Sequence, residues 1–127
     1  MIYEVKSPIL GFEKIKKMKL EKVDEVFAKL SDAENENVAF TLVNPFMLRE
    51  YDITIPDNFT EKLNIDKTSI IQVFNIMILQ NPIRESTINF LAPLIFNDNK
   101  KTMGQIILDG NKYTNYSIAD KISNYIK

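Results

Sequence analysis

The side chains able to carry out chemistry in this sequence are carboxylates, lysines and tyrosines, because the chain contains no histidine and no cysteine. The usual general bases, thiol nucleophiles and transition-metal ligands are therefore absent. Two carboxylates could still hydrolyse a glycosidic bond if they lay roughly 5–10 Å apart in a cleft, but their spacing along the chain indicates no such pair. The residue types thus favour a protein that works by binding over a carboxylate-dependent hydrolase, and they predict no cofactor.

A metal site made only of oxygen ligands would need acidic residues at fixed offsets. Residues 97–99 (Asn-Asp-Asn) look superficially like the start of a calcium loop, but they lack its glycine and its distal glutamate. They are better interpreted as a hairpin turn. We therefore predict no metal site.

A run of lysines near the N-terminus is the basic cluster of the sequence, and it could neutralise phosphates. Its members are Lys14, Lys16, Lys17, Lys19 and Lys22. Acidic residues flank the cluster, and the whole chain has 16 basic and 17 acidic residues, which gives a net charge of −1. We expect a solvated strand face that discourages edge-to-edge pairing. The alternative is an OB-like nucleic-acid-binding β-barrel that uses this cluster.

Alternation of apolar and polar residues predicts strands along most of the chain. They cover residues 2–6, 17–21, 26–30, 38–43, 51–55, 69–79, 85–97 and 102–108. The strand at 69–79 is apolar on both faces, which is typical of a central strand. Strands at this spacing, with few helices, predict an all-β, mostly antiparallel, small β-barrel-like fold. At this length we expect a single domain over residues 1–127.

Two short helices complete the predicted fold. Asn58 is a candidate cap for an internal helical turn, in which Phe59 and the leucine four positions later share a face. At the C-terminus, Ser117 and Asp120 form a capping-box pattern before an apolar stripe at helical spacing, which predicts a helix over residues 117–126. A helix this short is marginal in isolation, so it must dock on its own barrel or on a partner.

The longest alternating segment, residues 85–97, has a wholly apolar face made of Ile88, Phe90, Ala92, Leu94 and Phe96. Its other face is mixed. Pro93 cannot donate to a β-ladder, so the strand must have an unpaired edge, a bulge or a bend near its middle. A strand that must bend favours a small barrel or a strongly curled sheet.

The sequence shows no secretory signal at its N-terminus. Its longest apolar-rich run, residues 70–79, is far shorter than the ~20 residues of a membrane-spanning helix. Together with the absence of cysteine, this predicts a cytoplasmic protein with no membrane partner.

Four blocks, in order along the chain, resemble the FliW family of flagellar assembly factors. They are residues 8–13 (Pro-Ile-Leu-Gly-Phe-Glu), residues 40–45 (Phe-Thr-Leu-Val-Asn-Pro) with Tyr51 beyond them, residues 85–97, and residues 105–108 (Gln-Ile-Ile-Leu) with Tyr113. The last two blocks, at this separation, are the more specific ones. Members often have alanine where this chain has Gly104, and many end in an arginine-containing tail where this chain has residues 117–127.

The resemblance implies a non-enzymatic chaperone that binds flagellin and the RNA-binding translational repressor CsrA, without direct contact to nucleic acid and without a small-molecule substrate. The implied mechanism is a partner switch. Flagellin occupies the FliW-like protein until the flagellin is secreted, and the released protein then binds CsrA and relieves repression of flagellin translation.

The resemblance also directs attention to particular side chains. A CsrA-type repressor holds RNA on basic surfaces, so an antagonist should present carboxylates. The candidates are Asp32, Glu34 and Glu36 in one acidic stretch, and Asp52, Asp57 and Glu61 in another. The ends of flagellin are helical and apolar, so that partner should prefer an apolar groove or a strand edge. The mixed face of residues 85–97 offers Asn89, Leu91 and Ile95 for that contact.

Two aromatic side chains are also expected to be exposed for contact with a partner. Phe46 lies in a loop that a proline initiates, and Tyr51 lies next to polar residues. The other phenylalanines and tyrosines are mostly expected in the core.

Overall fold

The computed structural model describes residues 1–126, so the predicted domain end at Lys127 lies outside the described residues. The strands are β1 (Ile2–Ser7), β2 (Lys17–Lys22), β3 (Phe27–Asp32), β4 (Asn35–Val43), β5 (Ile71–Ile78), β6 (Thr87–Ile88), β7 (Leu94–Asn97), β8 (Thr102–Gln105) and β9 (Asp120–Lys121). The helical residues among those described form α1 (Asp57–Lys62) and three 3-10 turns (Pro45–Met47, Ile83–Glu85 and Ile122–Asn124).

Seven of the strands close into a barrel in the order β4-β3-β2-β1-β8-β7-β5, and pairing of β4 with β5 completes the circle. β1 and β8 run parallel, whereas the other barrel pairs are antiparallel. β5 pairs with β4, β6 and β7, which confirms its predicted central position. The predicted all-β, mostly antiparallel, barrel-like fold is confirmed.

The barrel encloses the main hydrophobic core, whose largest fully buried side chains include Tyr3, Met18, Leu30, Leu42, Phe96 and Met103. A polar network closes one end of this core. The Tyr3 hydroxyl donates to the Asp98 carboxylate at 2.6 Å, and the Gln72 amide donates to the same carboxylate at 2.8 Å. Burial, reinforced by the Asp98 carboxylate, raises the pKa of Tyr3, so its hydroxyl stays protonated in this network.

The segment predicted as one long strand is two short strands, β6 and β7, that both pair with β5. Ile88 lies opposite Met77, and Leu94 lies opposite Phe74. Between these two pairs β5 contributes three residue steps (77 to 74), whereas the segment from β6 to β7 contributes six (88 to 94). Three extra residues of that segment therefore bulge out. Pro93 lies within this bulge, and the irregularity that it requires is therefore confirmed.

Because the bulge adds an odd number of residues, it reverses which side chains face the barrel. Leu94 and Phe96 lie in the barrel core, whereas Ile88 and Phe90 belong to a second core outside the barrel wall. The predicted apolar face is thus buried throughout, but in two different places.

Buried polar groups hold the bulge. The Tyr51 hydroxyl donates to the Phe90 carbonyl at 2.6 Å, and the Asn75 amide donates to the Asn89 carbonyl at 2.9 Å. The same Asn75 amide nitrogen lies 3.2 Å from the Tyr51 hydroxyl oxygen. Burial is the main cause that raises the pKa of Tyr51 to about 12. These bonds satisfy carbonyls that the interrupted ladder leaves without partners.

The internal helix is confirmed as α1, and it packs Phe59 and Leu63 over Ile95 in a third apolar cluster. The predicted Asn58 cap is wrong, because the helix begins one residue earlier, directly after Pro56. Pro56 is the N-cap residue, with a φ of −62° and an extended ψ of 148°, and no side chain caps the helix.

The strand predicted at residues 51–55 is wrong, although the chain there takes part in the fold. Tyrosine hydroxyls from the C-terminal part of the chain accept hydrogen bonds from its backbone amides. The Asp52 N–H donates to the Tyr116 hydroxyl at 2.7 Å, and the Thr54 N–H donates to the Tyr113 hydroxyl at 3.0 Å. Side chains thus replace the neighbouring strand that a ladder would require.

The helix predicted over residues 117–126 is also wrong. Asp120–Lys121 forms β9 on β6, and the Ile122 N–H donates to the Ser86 carbonyl at 2.8 Å. Asp120 does not cap a helix, since its carboxylate contacts Arg49, Asn124 and Tyr125 instead. A helix of this length gains too little internally to compete with these tertiary bonds.

Arg49 holds this C-terminal segment on the barrel. Its guanidinium lies 4.8 Å from the Tyr116 ring centre and 5.3 Å from that of Phe90, and it donates to the Tyr125 hydroxyl at 3.2 Å. A guanidinium that stacks on several aromatic rings at a mostly buried position makes stronger cation–π interactions than an exposed one. The C-terminal segment therefore docks on its own barrel and covers the second core.

Replacing Gly104 by alanine should destabilise the fold. A Cβ atom at this position would lie 2.7 Å from the Ser7 Cβ and 2.9 Å from Phe59 Cζ, so either β1 or α1 must shift. We expect a loss of about 1–3 kcal/mol in the free energy of unfolding, measured by urea denaturation. Gly110→Ala is the matched control, since its Cβ would meet Leu91 only at 3.6 Å. Equal stabilities of the two variants would contradict this explanation of the glycine.

Replacing Tyr51 by phenylalanine should change both the stability and its pH dependence. At neutral pH the Phe90 carbonyl loses its donor, which costs about 1–3 kcal/mol. The Tyr51 hydroxyl has an ordinary pKa of 10.0 and a folded pKa of about 12, so its contribution is complete below pH 10 and is lost as the pH rises towards 12. Urea titrations followed by circular dichroism should therefore show a shallower alkaline decline in Tyr51→Phe than in the wild type. Parallel declines would contradict the role given to Tyr51.

Candidate partner-binding surface

The barrel end opposite the Tyr3 network is open and apolar. Inward-facing side chains continue there past the last pair between β4 and β5, which joins Thr41 to Met77. β5 carries Phe74 and Ile76 into the core and then Ile78 beyond that pair. We call this opening the apolar mouth and define it by Leu10, Phe12, Phe40, Ile78, Ile107 and Ile118. It is a groove of about 380 Å³, in which Asn89 and Gln105 are the polar lining residues.

The loop between β1 and β2 crosses one side of this mouth. Ile9 anchors it in the core, and Gly11 turns the chain with a φ of +90°, a value that glycine adopts without steric cost. The Leu10 N–H donates to the Gln105 side-chain oxygen at 2.8 Å, and the Phe12 ring packs edge-on against Phe40 at 4.9 Å between ring centres. The backbone is therefore fixed while the Leu10 side chain points outward.

The side chains around the mouth are unusually exposed for their type. Leu10 is 74% exposed, Ile118 is 69% exposed and Ile107 is 63% exposed. Several large apolar side chains around one groove mark a protein-binding site more often than single exposed residues do. The mouth is therefore the surface best suited to an apolar segment of another protein.

Sequence reasoning missed this mouth, although one signal was present. Ile106, Ile107 and Leu108 are three consecutive apolar residues, and strand alternation can bury only the first and the last of them. Ile106 and Leu108 are indeed buried, and Ile107 is left outside.

The flagellin-contact candidates of residues 85–97 have different positions. Asn89 is half-buried and lines the mouth. Leu91 is half-buried in the cluster beneath α1, and Ile95 is completely buried there. Ile95 is thus unavailable for contact, because the outer face of β7 is covered by α1 rather than by a partner.

Of the two aromatic candidates, only one is exposed. Phe46 is 55% exposed on the first 3-10 turn, which Asn44 caps by accepting the Phe46 N–H at 3.0 Å. The expectation of an exposed Tyr51 is wrong, because its ring lies between Phe90 and Tyr116 in the second core.

The first acidic group lies on a tight hairpin beside the mouth. Asp32 pairs with Asn35, so β3 and β4 are joined by a two-residue turn, and Glu34 and Glu36 are exposed on it. Phe40 of the mouth lies four residues after Glu36 on β4, with a register shift between them, so the hairpin adjoins the mouth. Among residues 1–126, these carboxylates form no ion pair.

The second acidic group does not join the first. Asp52 lies on the connection that precedes α1, and Asp57 and Glu61 lie on α1 itself, all three exposed. The structure therefore offers two separate acidic surfaces and brings only the hairpin to the mouth.

Two lysines of the cluster, Lys17 and Lys19, have acidic neighbours on the sheet. Lys17 lies opposite Glu4 in the β1–β2 pair, and Lys19 lies 3.7 Å from Glu21. Glu21 in turn lies opposite Lys29. This alternation of charge matches a solvated strand face and gives no support to a nucleic-acid-binding barrel.

The arrangement of the carboxylates and the length of the helices also bear on function. Within the described part of the chain, no three carboxylates come close enough together to hold a metal ion. None of the helices in residues 1–126 has the length and hydropathy needed to cross a membrane.

Comparison with known proteins agrees with the fold and the sequence blocks. A sequence profile described as FliW protein matches residues 1–121. Flagellar assembly factor FliW 1 of Wolinella succinogenes is 50% identical over 127 residues, which are 100% of this chain and 99% of that protein. Flagellar assembly factor FliW of Campylobacter lari is 42% identical over 128 residues, covering 100% of this chain and 98% of that protein.

A solved structure gives the same result. The crystal structure of the flagellar assembly factor FliW superposes with a TM-score of 0.85 at 27% sequence identity, covering 95% of this chain and 84% of the other. Flagellar assembly factors are not a class of enzyme. On the profile match and the full-length identities, this chain belongs to the FliW family of flagellar assembly factors.

Proposed function

We propose that this protein is a non-enzymatic, cytoplasmic chaperone that binds flagellin and, when free of it, antagonises a CsrA-type translational repressor. Membership of the FliW family supports a partner from the flagellar system. The single observation that carries the proposal is the apolar mouth, an open groove ringed by exposed Leu10, Ile107 and Ile118.

The mouth suits flagellin better than it suits a basic repressor. Its lining is apolar, and the two polar side chains in it, Asn89 and Gln105, are uncharged. Burying aliphatic side chains of a partner here would release water from both surfaces, at about 25 cal/mol per Å² of apolar area. An apolar end of flagellin supplies such side chains, whereas an RNA-binding surface of Lys and Arg does not.

The acidic hairpin suits the repressor. Asp32, Glu34 and Glu36 project beside the mouth, free of ion pairs in residues 1–126. Such carboxylates attract a basic RNA-binding surface and speed its encounter. Asp52, Asp57 and Glu61 are the second candidate surface for this contact.

The position of the hairpin explains how the two partners exclude each other. It adjoins the mouth without lining it, because Phe40 of the mouth lies four residues after Glu36 on β4, so a protein bound at either site overlaps the space that the other occupies. Steric exclusion is therefore sufficient for the partner switch.

Ile107→Asp should weaken flagellin binding about tenfold or more, because a carboxylate would have to be buried against apolar groups. Ile70→Asp is a closely matched control, since Ile70 is 62% exposed and Ile107 is 63% exposed, but Ile70 lies outside the mouth. Titration calorimetry with purified cognate flagellin measures both variants. Wild-type protein that binds no flagellin would refute the function, and equal loss in the two variants would refute the site.

Reversing charge on the hairpin should weaken repressor binding and reduce its salt dependence. We expect Glu34→Lys/Glu36→Lys to lower the affinity for the CsrA-type repressor about tenfold at low salt, with a smaller effect at high salt, where charges are screened. Asp57→Lys/Glu61→Lys tests the second acidic surface under the same conditions. An effect confined to the second variant would move the repressor contact to α1.

A further inference from the structure

The barrel is joined at its β4–β5 seam by only a short ladder, and the two strands part at the apolar mouth. Thr41, Leu42 and Val43 pair with β5. The next positions outward, Ala39 on β4 and Leu79 after β5, would continue the register but are not paired with each other in the described chain. The seam therefore opens beside Phe40 and Ile78.

The direction of the free backbone groups follows from the ladder. The Asn44 N–H donates to the Val26 carbonyl, so the even-numbered residues of β4 bond towards β3. In an antiparallel strand alternate residues bond to opposite sides, so the odd-numbered residues from Val43 back to Ala39 point their N–H and C=O groups towards the seam. Before Ala39 the register of β4 with β3 shifts, and the Asn37 N–H donates to the Asn35 side-chain oxygen at 3.2 Å. Across the gap, the Asn89 N–H donates to the Ile76 carbonyl, so even-numbered residues of β5 bond towards β6 and Leu79 faces the seam.

Exposure shows that this edge is accessible. Ala39 is exposed, and Leu79 is 53% exposed. An unpaired strand edge with small or apolar side chains readily pairs with another chain, and proteins usually cover or charge such edges. Here the edge adjoins a groove that also needs an apolar occupant.

We propose that the partner segment seated in the apolar mouth binds in extended form and adds as a strand to β4 at Ala39. This inference rests on the proposed function and specifies how the same site works. Main-chain bonds to Ala39 fix the segment, and its side chains, which alternate in direction, send every second residue into the mouth. The segment recognised is therefore an extended stretch with apolar residues at alternate positions.

Charge sets a further feature of this segment. Glu36 precedes Ala39 on the same strand, and it forms no ion pair in residues 1–126. A segment added along β4 runs past this carboxylate, so a Lys or Arg at the corresponding end stabilises the complex. The partner sequence expected is thus an alternating apolar stretch with a basic residue at one end.

Ala39→Pro tests the main-chain bond. Proline removes the outward N–H of residue 39 and places a ring on that edge, while the bonds of β4 to β3 come from its neighbours. Short overlapping peptides of cognate flagellin serve as the probe, and the tightest binder should lose roughly five- to tenfold in affinity. Ala39→Thr keeps the N–H and is the matched control, for which we expect a change of less than about twofold.

A second measurement does not depend on the folding of the proline variant. The same peptide, N-methylated at one residue at a time, is titrated into wild-type protein. Added as a strand, the peptide should lose affinity at every second residue, because only alternate N–H groups face β4. A uniform loss over consecutive residues, as for a bound helix, would overturn the proposal.

The outcomes separate this inference from the function on which it rests. No binding of flagellin or its peptides by wild-type protein defeats the function itself. Binding that Ile107→Asp abolishes, but that neither Ala39→Pro nor alternate N-methylation changes, leaves the mouth as the site and defeats strand addition. Wild-type protein that is a dimer by light scattering and becomes a monomer on Ala39→Pro would assign the edge to a second copy, and would also defeat the proposal.

Discussion

The bulge around Pro93 is the constraint on which the rest of this structure depends. Three extra residues let one segment pair with β5 twice, and their odd number turns Ile88 and Phe90 away from the barrel. Large apolar side chains outside the wall must be covered, and the chain covers them with its own C-terminal residues, held by Arg49. The buried Tyr51 and Asn75 follow from the same cause, because a broken ladder leaves carbonyls that only side chains can reach.

The bulge also makes the two ends of the barrel unequal. Before it, residues 87 and 88 continue the pairing of β5 on one edge, so β5 runs on to Ile78 while its pairing with β4 has already ended at Met77. An inward-facing isoleucine is thereby carried beyond the closed part of the wall. At the other end, Tyr3, Gln72 and Asp98 satisfy one another and close the core. One end is closed by polar hydrogen bonds, and the other is an open apolar groove.

Sequence patterns predicted the parts of this fold that depend on local alternation of residue types. They failed where residues distant in the sequence determine the local structure. β1 to β5 and the need for an unpaired edge, a bulge or a bend near Pro93 follow from residue type alone. The odd length of the bulge does not, since it depends on register with β5. Residues 117–126 have a helical pattern, yet pairing with β6 and the contact between Asp120 and Arg49 outweigh it. Tyr51 has polar neighbours in sequence but a buried ring in space. The mouth was missed because exposure of Leu10 or Ile107 depends on where the strands around it stop.

The proposed partner switch needs no second conformation of this protein. Ala39 and Glu36 lie three residues apart on the same strand, β4. In the proposed arrangement, a segment seated at Ala39 therefore excludes a basic surface from the hairpin beside it. In that arrangement exchange follows mass action: the fraction of open sites equals Kd/(Kd + free flagellin), so it rises as free flagellin falls, and the repressor binds the open sites. The cover over the second core, which Arg49 locks with three aromatic rings, can stay in place throughout. In the proposed arrangement, a barrel that keeps one conformation is sufficient to link the two partners, because their sites adjoin each other.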